Sequence, residues 1–540
     1  MNSEEKPHRR MHPWYDGAAS QEYNVHADGE KKVWRGTMHR FSEAFDYYLK
    51  QKKTGIALIS KASGIERSTL YQYLRGKRIP PDQERVKLIA GCLRLNHAET
   101  EKFLDAYMVS KIGEYTYTSR KQLGHMFAML MDLDRQSRQH TEHTDRADSA
   151  MEEATDAEAA GAPEIGICEG AWKISGKRQI VRQMRKLLDD QSGEFPLYIA
   201  APVISDELFG LVNEAFRKKP ASHIRHLVML NNVDQIMADD AIYNLSFLRQ
   251  MIPFLVSEQD YICFYLYGDV QTAGEEMCIQ PNYLVSGHSV LLFGEDLRDG
   301  LLMTEHHVVE YYRNLFEMAC STAVQFNQTN ALRDVVGHYM ESWEQKYARA
   351  DAVYMFDTGI CVTMVLDPDE DGALISGIEQ TSGLSEELLG ALHKYIEYVR
   401  AFKTIQTHVR VLFTRKGIDY FCESGHLTEV FEENQFPLPA EIRVLFLKRW
   451  RVLVLNGQAR MLNNEETVGR FNLSLLATRQ SLSLDKPLPS GRRLVSEIGE
   501  SSIVSNVFEF MEDTFLHKTV EPEKAAAFLE EKMRKLSSED

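Results

Sequence analysis

The chain has no apolar run of about 18 residues, the least that crosses a bilayer as a helix, so no membrane span is expected. Its first residues, MNSEEKPHRRMHPWYDG, have no apolar core and do not read as a secretory signal. Cysteine is scarce: seven residues, an odd number, scattered and without a CxxC pair. That argues against a disulfide framework or a zinc ribbon and predicts reduced thiols in a cytoplasmic protein. GxSxG, the glycine-rich dinucleotide fingerprint and a His-x-Lys-x4-Asp phosphodiesterase motif are all missing. No catalytic residue, metal ligand or cofactor is therefore assigned.

Three segments approach a motif and miss it. In GAWKISGKR (170–178) the spacing from Gly170 to Gly176-Lys177 is one residue too long for a phosphate-binding loop, and Arg178 stands where Ser or Thr would hold magnesium. In DPDEDGALISGIE (367–379), Asp367, Asp369, Asp371 and Gly372 suit calcium, but Ile378 occupies the place of the closing carboxylate, so an acidic connecting loop is expected. His306-His307 precedes Glu310 without a second histidine one turn on.

What is present is most specific at residues 54–78, TGIALISKASGIERSTLYQYLRGKR. Ile56, Ile59 and Ala62 recur at helical spacing and are assigned to a core. Gly64 stands where a helix must stop and reverse, a place for the left-handed backbone. Ile65 is expected to plug the corner. In the next helix Leu70, Tyr73 and Leu74 make a buried stripe and leave the polar residues outward. Arg75-Gly76-Lys77-Arg78 ends it with positive charge, and Pro80-Pro81 forbids its continuation. The flanks agree. Phe41, Phe45, Tyr48 and Leu49 share one face of 40–52; Val86, Ile89, Ala90 and Leu93 share one face of 82–95; and 98–112 can form a fifth helix. Between residues 40 and 95 twelve bases face five acids, about +7, in a chain whose net charge is −17.

The helix-two segment Ile56–Ser63, Gly64, the run Glu66-Arg67-Ser68-Thr69, Leu70 and Gly76-Lys77-Arg78 before proline resemble the Xre/Cro/cI-type repressor family, over roughly residues 38–96. The resemblance implies a helix-turn-helix whose second helix enters the major groove of double-stranded DNA. Carried over by position, Arg67, Ser68 and Gln72 would contact bases, and Thr69, Tyr71, Arg75, Lys77 and Arg78 the backbone. The chain departs from the family at Ser60, where alanine is common, and at Leu74, where an acid is common.

The rest sets the organisation. Residues 1–36 read as a disordered arm and 37–112 as the helix-turn-helix domain. Residues 113–131 read as a connecting helix, and 132–164, with ten acids and three bases, as a flexible linker that includes His140 and His143. From 165 strands alternate with helices, an α/β pattern with a mixed sheet, assigned as 165–345 and 346–540. Strands are expected at 196–203, 223–230, 261–268, 408–414, 441–456 and 470–477, a strand or hairpin at 282–294, and a hairpin in 351–366 turning at Asp357–Gly359. Helices are expected at 205–219, 308–326, 386–402, 502–517 and 523–536. The two blocks end alike, in VVEYYRNLFEMA and VSNVFEFMEDTF, as a tandem duplication or two chance amphipathic helices would.

The chain is thus expected to be multidomain, an all-α bundle before a large α/β region. Its expected role is a cytoplasmic, homodimeric, sequence-specific transcription regulator without a membrane partner, with the C-terminal region sensing an unknown small molecule or protein. An enzyme or defence effector targeted by the bundle, and a protein-docking adaptor, are the alternatives.

Overall fold

The computed structural model describes residues 40–139, 165–189, 196–202, 206–218, 223–232, 238–257, 260–268, 282–332, 346–379, 386–404, 406–427, 437–463, 473–488 and 493–538. The expected arm and residues 140–164 of the expected linker lie outside these. The chain forms two compact units, Met1–Gly113 and Glu114–Asp540. No helix among the described residues is long and apolar enough to cross a membrane.

In the first unit five helices, α1 (Arg40–Gln51), α2 (Ile56–Ser63), α3 (Arg67–Leu74), α4 (Gln83–Cys92) and α5 (His97–Ile112), close around an aromatic centre. Phe41 lies 4.9 Å from Phe103 and 5.9 Å from Tyr107, ring centre to ring centre. Phe41, Phe45 and Phe103 are fully buried, each contributing roughly 1.5–3 kcal/mol by leaving water. The helix starts are fixed by side chains. Asp82 accepts the Arg85 N–H, and Asn96 and Glu99 form a reciprocal capping box. Lys52 then bonds both Glu99 oxygens at 2.7 Å, tying the end of α1 to α5. Ile56 and Ile59 are buried as expected, but Ala62 is exposed: the short α2 turns only its first turn inward.

The second unit opens with α6 (Glu114–Gln139), which runs on through residues 132–139 of the expected linker. Its Leu123, Met126 and Leu130 sit in the main core. Two mixed sheets follow. The first contains β1 (Ile165–Cys168), β2 (Ala171–Ser175), β3 (Leu197–Ala200), β4 (His223–Asn231), β5 (Asp260–Gly268), β6 (Asn282–Val285), β7 (Val290–Phe293), β8 (Asp299–Met303) and β9 (Val324–Gln325), with α7 (Lys177–Asp189), α8 (Asp206–Lys218), α9 (Ala238–Leu255) and α10 (His306–Cys320). The second contains β10 (Asn327–Leu332), β11 (Val353–Phe356), β12 (Val409–Phe413), β13 (Ala459–Met461), β14 (Ser474–Ala477), β15 (Leu482–Pro487) and β16 (Arg493–Ile498). Its helices are α11 (Val362–Val365), α12 (Gly372–Glu379), α13 (Glu386–Lys403), α14 (Arg415–Ser424), α15 (Ala440–Leu455), α16 (Ser501–His517) and α17 (Pro522–Ser538).

The sheets share one topology. The order β2-β8-β7-β6-β3-β4-β5 in the first matches β10-β16-β15-β14-β11-β12-β13 in the second. Each has three parallel strands on one side of an antiparallel junction and a meander on the other. β10 pairs with β16, so a strand on the N-terminal side of residue 345 belongs to the second sheet.

Four further expectations change. Residues 441–456 are helix α15, not a strand: Phe446, Leu447, Trp450, Leu453 and Val454 are buried at helical spacing, which outweighs the β-branched composition. No hairpin forms at Asp357–Gly359. β11 already has β12 on one edge and β14 on the other, and the buried Asp357 carboxylate accepts from Gly359 N–H and Ser474 Oγ. The helix expected over 308–326 stops at Cys320, and the chain returns as edge strand β9. The acidic loop is short and gives way to α12 at Gly372.

Candidate nucleic-acid interface

The connection between α2 and α3 is three residues long. Gly64 takes the left-handed conformation (φ 71°), and its N–H donates to the Ser60 carbonyl at 3.0 Å. Ser60 Oγ donates to the Ile65 carbonyl at 2.7 Å, and Ile65 is buried. At the family's alanine position this chain therefore has a hydroxyl that clamps the turn. Leu74, at the other departure, is half-buried against the core.

Along α3, Leu70 and Tyr73 face inward, while Arg67, Ser68, Tyr71, Gln72 and Arg75 are exposed and Thr69 is half-buried. The helical period brings Ser68, Tyr71, Gln72 and Arg75 onto one outward face with Arg67 at its edge. Gly76 adopts φ 64°, Lys77 N–H closes on the Gln72 carbonyl at 3.0 Å, and Lys77 and Arg78 leave the helix exposed. The Arg75 guanidinium lies 5.9 Å from the Tyr71 ring centre.

Three lysines of the unit are paired, while Lys53, Lys61, Arg85 and Arg94 are exposed without a carboxylate partner among the described residues. Lys50 pairs with Asp46, Lys52 with Glu99 and Lys87 with Glu84. Bonding to Lys52 holds the Glu99 carboxyl below its ordinary range. Among the described residues no carboxylate pairs with Arg67, Arg75, Lys77 or Arg78.

Sequence reasoning named Glu66 in the polar run but gave it no role in the site. It is the residue before α3, its side chain makes no cap bond to the helix, and it accepts from Ser68 Oγ at 3.2 Å. A negative charge thus sits beside a residue assigned to base contact. The signal was present, since an acid preceding Arg-Ser-Thr occupies the cap position.

Elsewhere, the carboxylates that suggested calcium face protein cations. Asp367 meets Lys403, Asp369 meets Arg400, and Asp371 receives both Arg449 nitrogens at 2.5 and 2.9 Å. A cleft of about 570 Å³ opens beside them between α12 and α13, lined in part by Ile375, Ser376, His393 and Lys394. His306 and His307 are exposed at the start of α10. Gly170 and Gly176 flank β2, with α7 following directly. Of the cysteines, Cys263, Cys361 and Cys422 are buried, Cys92 and Cys320 half-buried and Cys168 exposed, all as free thiols; Cys278 lies outside the described residues.

No protein-family model matches the chain, and no curated protein does. Solved structures similar to it include a phosphatidylserine synthase from Haemophilus influenzae Rd KW20, at 7% identity over 72% of this chain and 98% of that one, with a TM-score of 0.22. TrmBL2, an archaeal chromatin protein described with a novel mode of DNA binding, matches at 12% over 53% and 99%, TM-score 0.21. A polyphosphate kinase from Porphyromonas gingivalis matches at 10% over 70% and 58%, TM-score 0.20. Likeness this slight carries neither fold nor function across.

Proposed function

We propose that the chain is a sequence-specific DNA-binding transcription regulator, with α2, the Gly64 turn and α3 serving as a helix-turn-helix. Arg67, Ser68 and Gln72 contact base edges; Thr69, Tyr71, Arg75, Lys77 and Arg78 hold the backbone. One observation carries the reading. Arg67, Arg75, Lys77 and Arg78 gather on the outward face and exit of one helix, exposed and without an acid partner among the described residues. Unpaired cations on an outward helix supply phosphate affinity. The α/β region acts as the dimerisation and sensing part, and dimer geometry sets half-site spacing.

Genome-fragment capture with sequencing tests this, using the wild type and an Arg67→Ala/Gln72→Ala variant. A short motif enriched by the wild type alone supports it. The same motif from both proteins, or none from the wild type, sinks the assignment of α3. Arg67→Ala should cost about 1–3 kcal/mol on the best site and relax one base position, while Lys77→Ala should weaken all sequences alike.

A further inference from the structure

Helix α7 carries five bases and one acid in thirteen residues. Two of the bases are engaged: Lys177 Nζ lies 2.6 Å from Glu207 and Arg185 3.5 Å from Glu214, both on α8. The other three, Arg178, Arg182 and Lys186, are exposed and meet no carboxylate among the described residues. They stand at i, i+4 and i+8, so they form one stripe, stepping about 6 Å at a time along about 12 Å of helix. Like charges at this spacing disfavour the helix.

The segment that follows β10 in the chain, residues 333–345, lies outside the described residues; its sequence has one base, Arg333, against Asp334, Glu341 and Glu344. The stripe runs against the surrounding charge: outside residues 40–95 the chain carries −24, from −17 less +7. The apolar side of α7 is already used, since Ile180, Met184, Leu187 and Leu188 are in the core. That leaves no apolar face to enter a lipid surface, which an interfacial helix requires. Two guanidinium groups and an ammonium on a rigid, exposed helix suit repeated phosphates.

We propose that the exposed face of α7, through Arg178, Arg182 and Lys186, binds the phosphodiester backbone of duplex nucleic acid without reading its sequence. This does not depend on the role given to α3.

The test uses the full chain and a fluorescein-labelled duplex of arbitrary sequence, with affinity measured against salt. Arg178→Gln/Arg182→Gln/Lys186→Gln should flatten the slope of log affinity on log salt by about 2–3, since each phosphate neutralised contributes about 0.9. All three side chains are exposed, and equal melting temperatures verify that the variant is folded. An unchanged slope overturns the proposal. So does loss of binding to phosphatidylserine vesicles by the triple variant with duplex binding intact, which would make the stripe a lipid site. A Lys77→Ala/Arg78→Ala variant keeps the two readings apart. If that pair alone lowers the slope, the α3 reading stands and this one falls; if the α7 triple alone does so, the reverse holds.

Discussion

Tyr198 and Tyr354 occupy the same place in the two sheets. Each is the second residue of the first parallel strand, and the parallel neighbour sets an arginine opposite it, Arg225 for Tyr198 and Arg410 for Tyr354. Each ring packs on the helix after the meander, Tyr198 on Phe316 and Tyr354 on Phe508 and Phe515. Each hydroxyl meets a glutamate of that helix, Glu317 and Glu512. The turns between the first two meander strands also agree: Ser286 Oγ accepts from the Ser289 N–H, and Thr478 Oγ1 from the Ser481 N–H.

The tyrosine–glutamate contact gives a pH-dependent prediction. Burial first, then the neighbouring glutamate, pushes each phenol up to about 12, against about 10 in an unfolded chain. A raised folded value favours the protonated form. The contribution is therefore complete below pH 10 and is lost as pH climbs from about 10 to about 12. Tyr354→Phe keeps the ring and removes the 3.3 Å bond to Glu512, so it should cost about 0.5–1.5 kcal/mol at neutral pH and less at pH 12. Urea midpoints at the two pH values test it; equal losses at both would remove the titration argument.

Much of the fold was legible because helical period survives in single segments. Phe41, Phe45, Tyr48 and Leu49 named α1, and the Gly64 corner separated α2 from α3. Length and composition were weaker guides. Val444, Val452 and Val454 gave α15 the look of a strand, although its buried positions follow a helix. The shared topology was hardly visible. Its matched residues, such as Tyr198 with Tyr354 and Glu317 with Glu512, are single positions separated by loops of different length. Of the candidate interface, the outward residues could be read from the α3 stripe. Glu66 stood in the same polar run, and only its bond to Ser68 had to come from the structure.

A second prediction concerns acid. His226 on β4 is fully buried, with Nδ1 2.6 Å from the Tyr261 hydroxyl and Nε2 without a hydrogen-bond partner among the described residues. Burial pulls its value down to about 3, so the folded chain holds it neutral where an unfolded one protonates near 6.5. A depressed value means the contribution is present above pH 6.5 and is lost as pH falls from there toward 3. His226→Gln retains a partner for Tyr261 and removes the titration. Its stability should fall less than the wild type's between pH 7 and pH 4. Parallel stability curves for the two proteins would exclude His226 as a source of acid sensitivity.

The turns of the first unit predict opposite effects of glycine. Gly64 has φ 71° with open space around its Cα, so Gly64→Ala should cost about 1 kcal/mol through backbone strain alone, without a clash. Arg94 adopts φ 57° just beyond α4, where its N–H donates to Gly91. Arg94→Gly relieves that strain but loosens the unfolded chain, leaving a net gain of up to about 1 kcal/mol. Thermal melting of both variants decides the matter, and a destabilised Arg94→Gly would contradict the account.

Glu66 supplies the last prediction. Its carboxylate lies at the start of α3, where a phosphate would be drawn to free N–H groups, and it accepts the Ser68 hydroxyl proton at 3.2 Å. Under the proposed function it has two opposing effects. It repels phosphates generally, and it can accept from a cytosine amino group in the major groove. Glu66→Gln removes the charge while keeping the size. Affinity for arbitrary duplex should rise a few-fold at low salt, and the rise should vanish at high salt as screening shortens the field. Affinity for the best site should rise less, so the ratio of specific to non-specific binding falls. A proportional rise on both kinds of DNA would mean that Glu66 acts only through charge. No change on either would place it away from the bound duplex and, with it, the neighbouring Arg67 and Ser68.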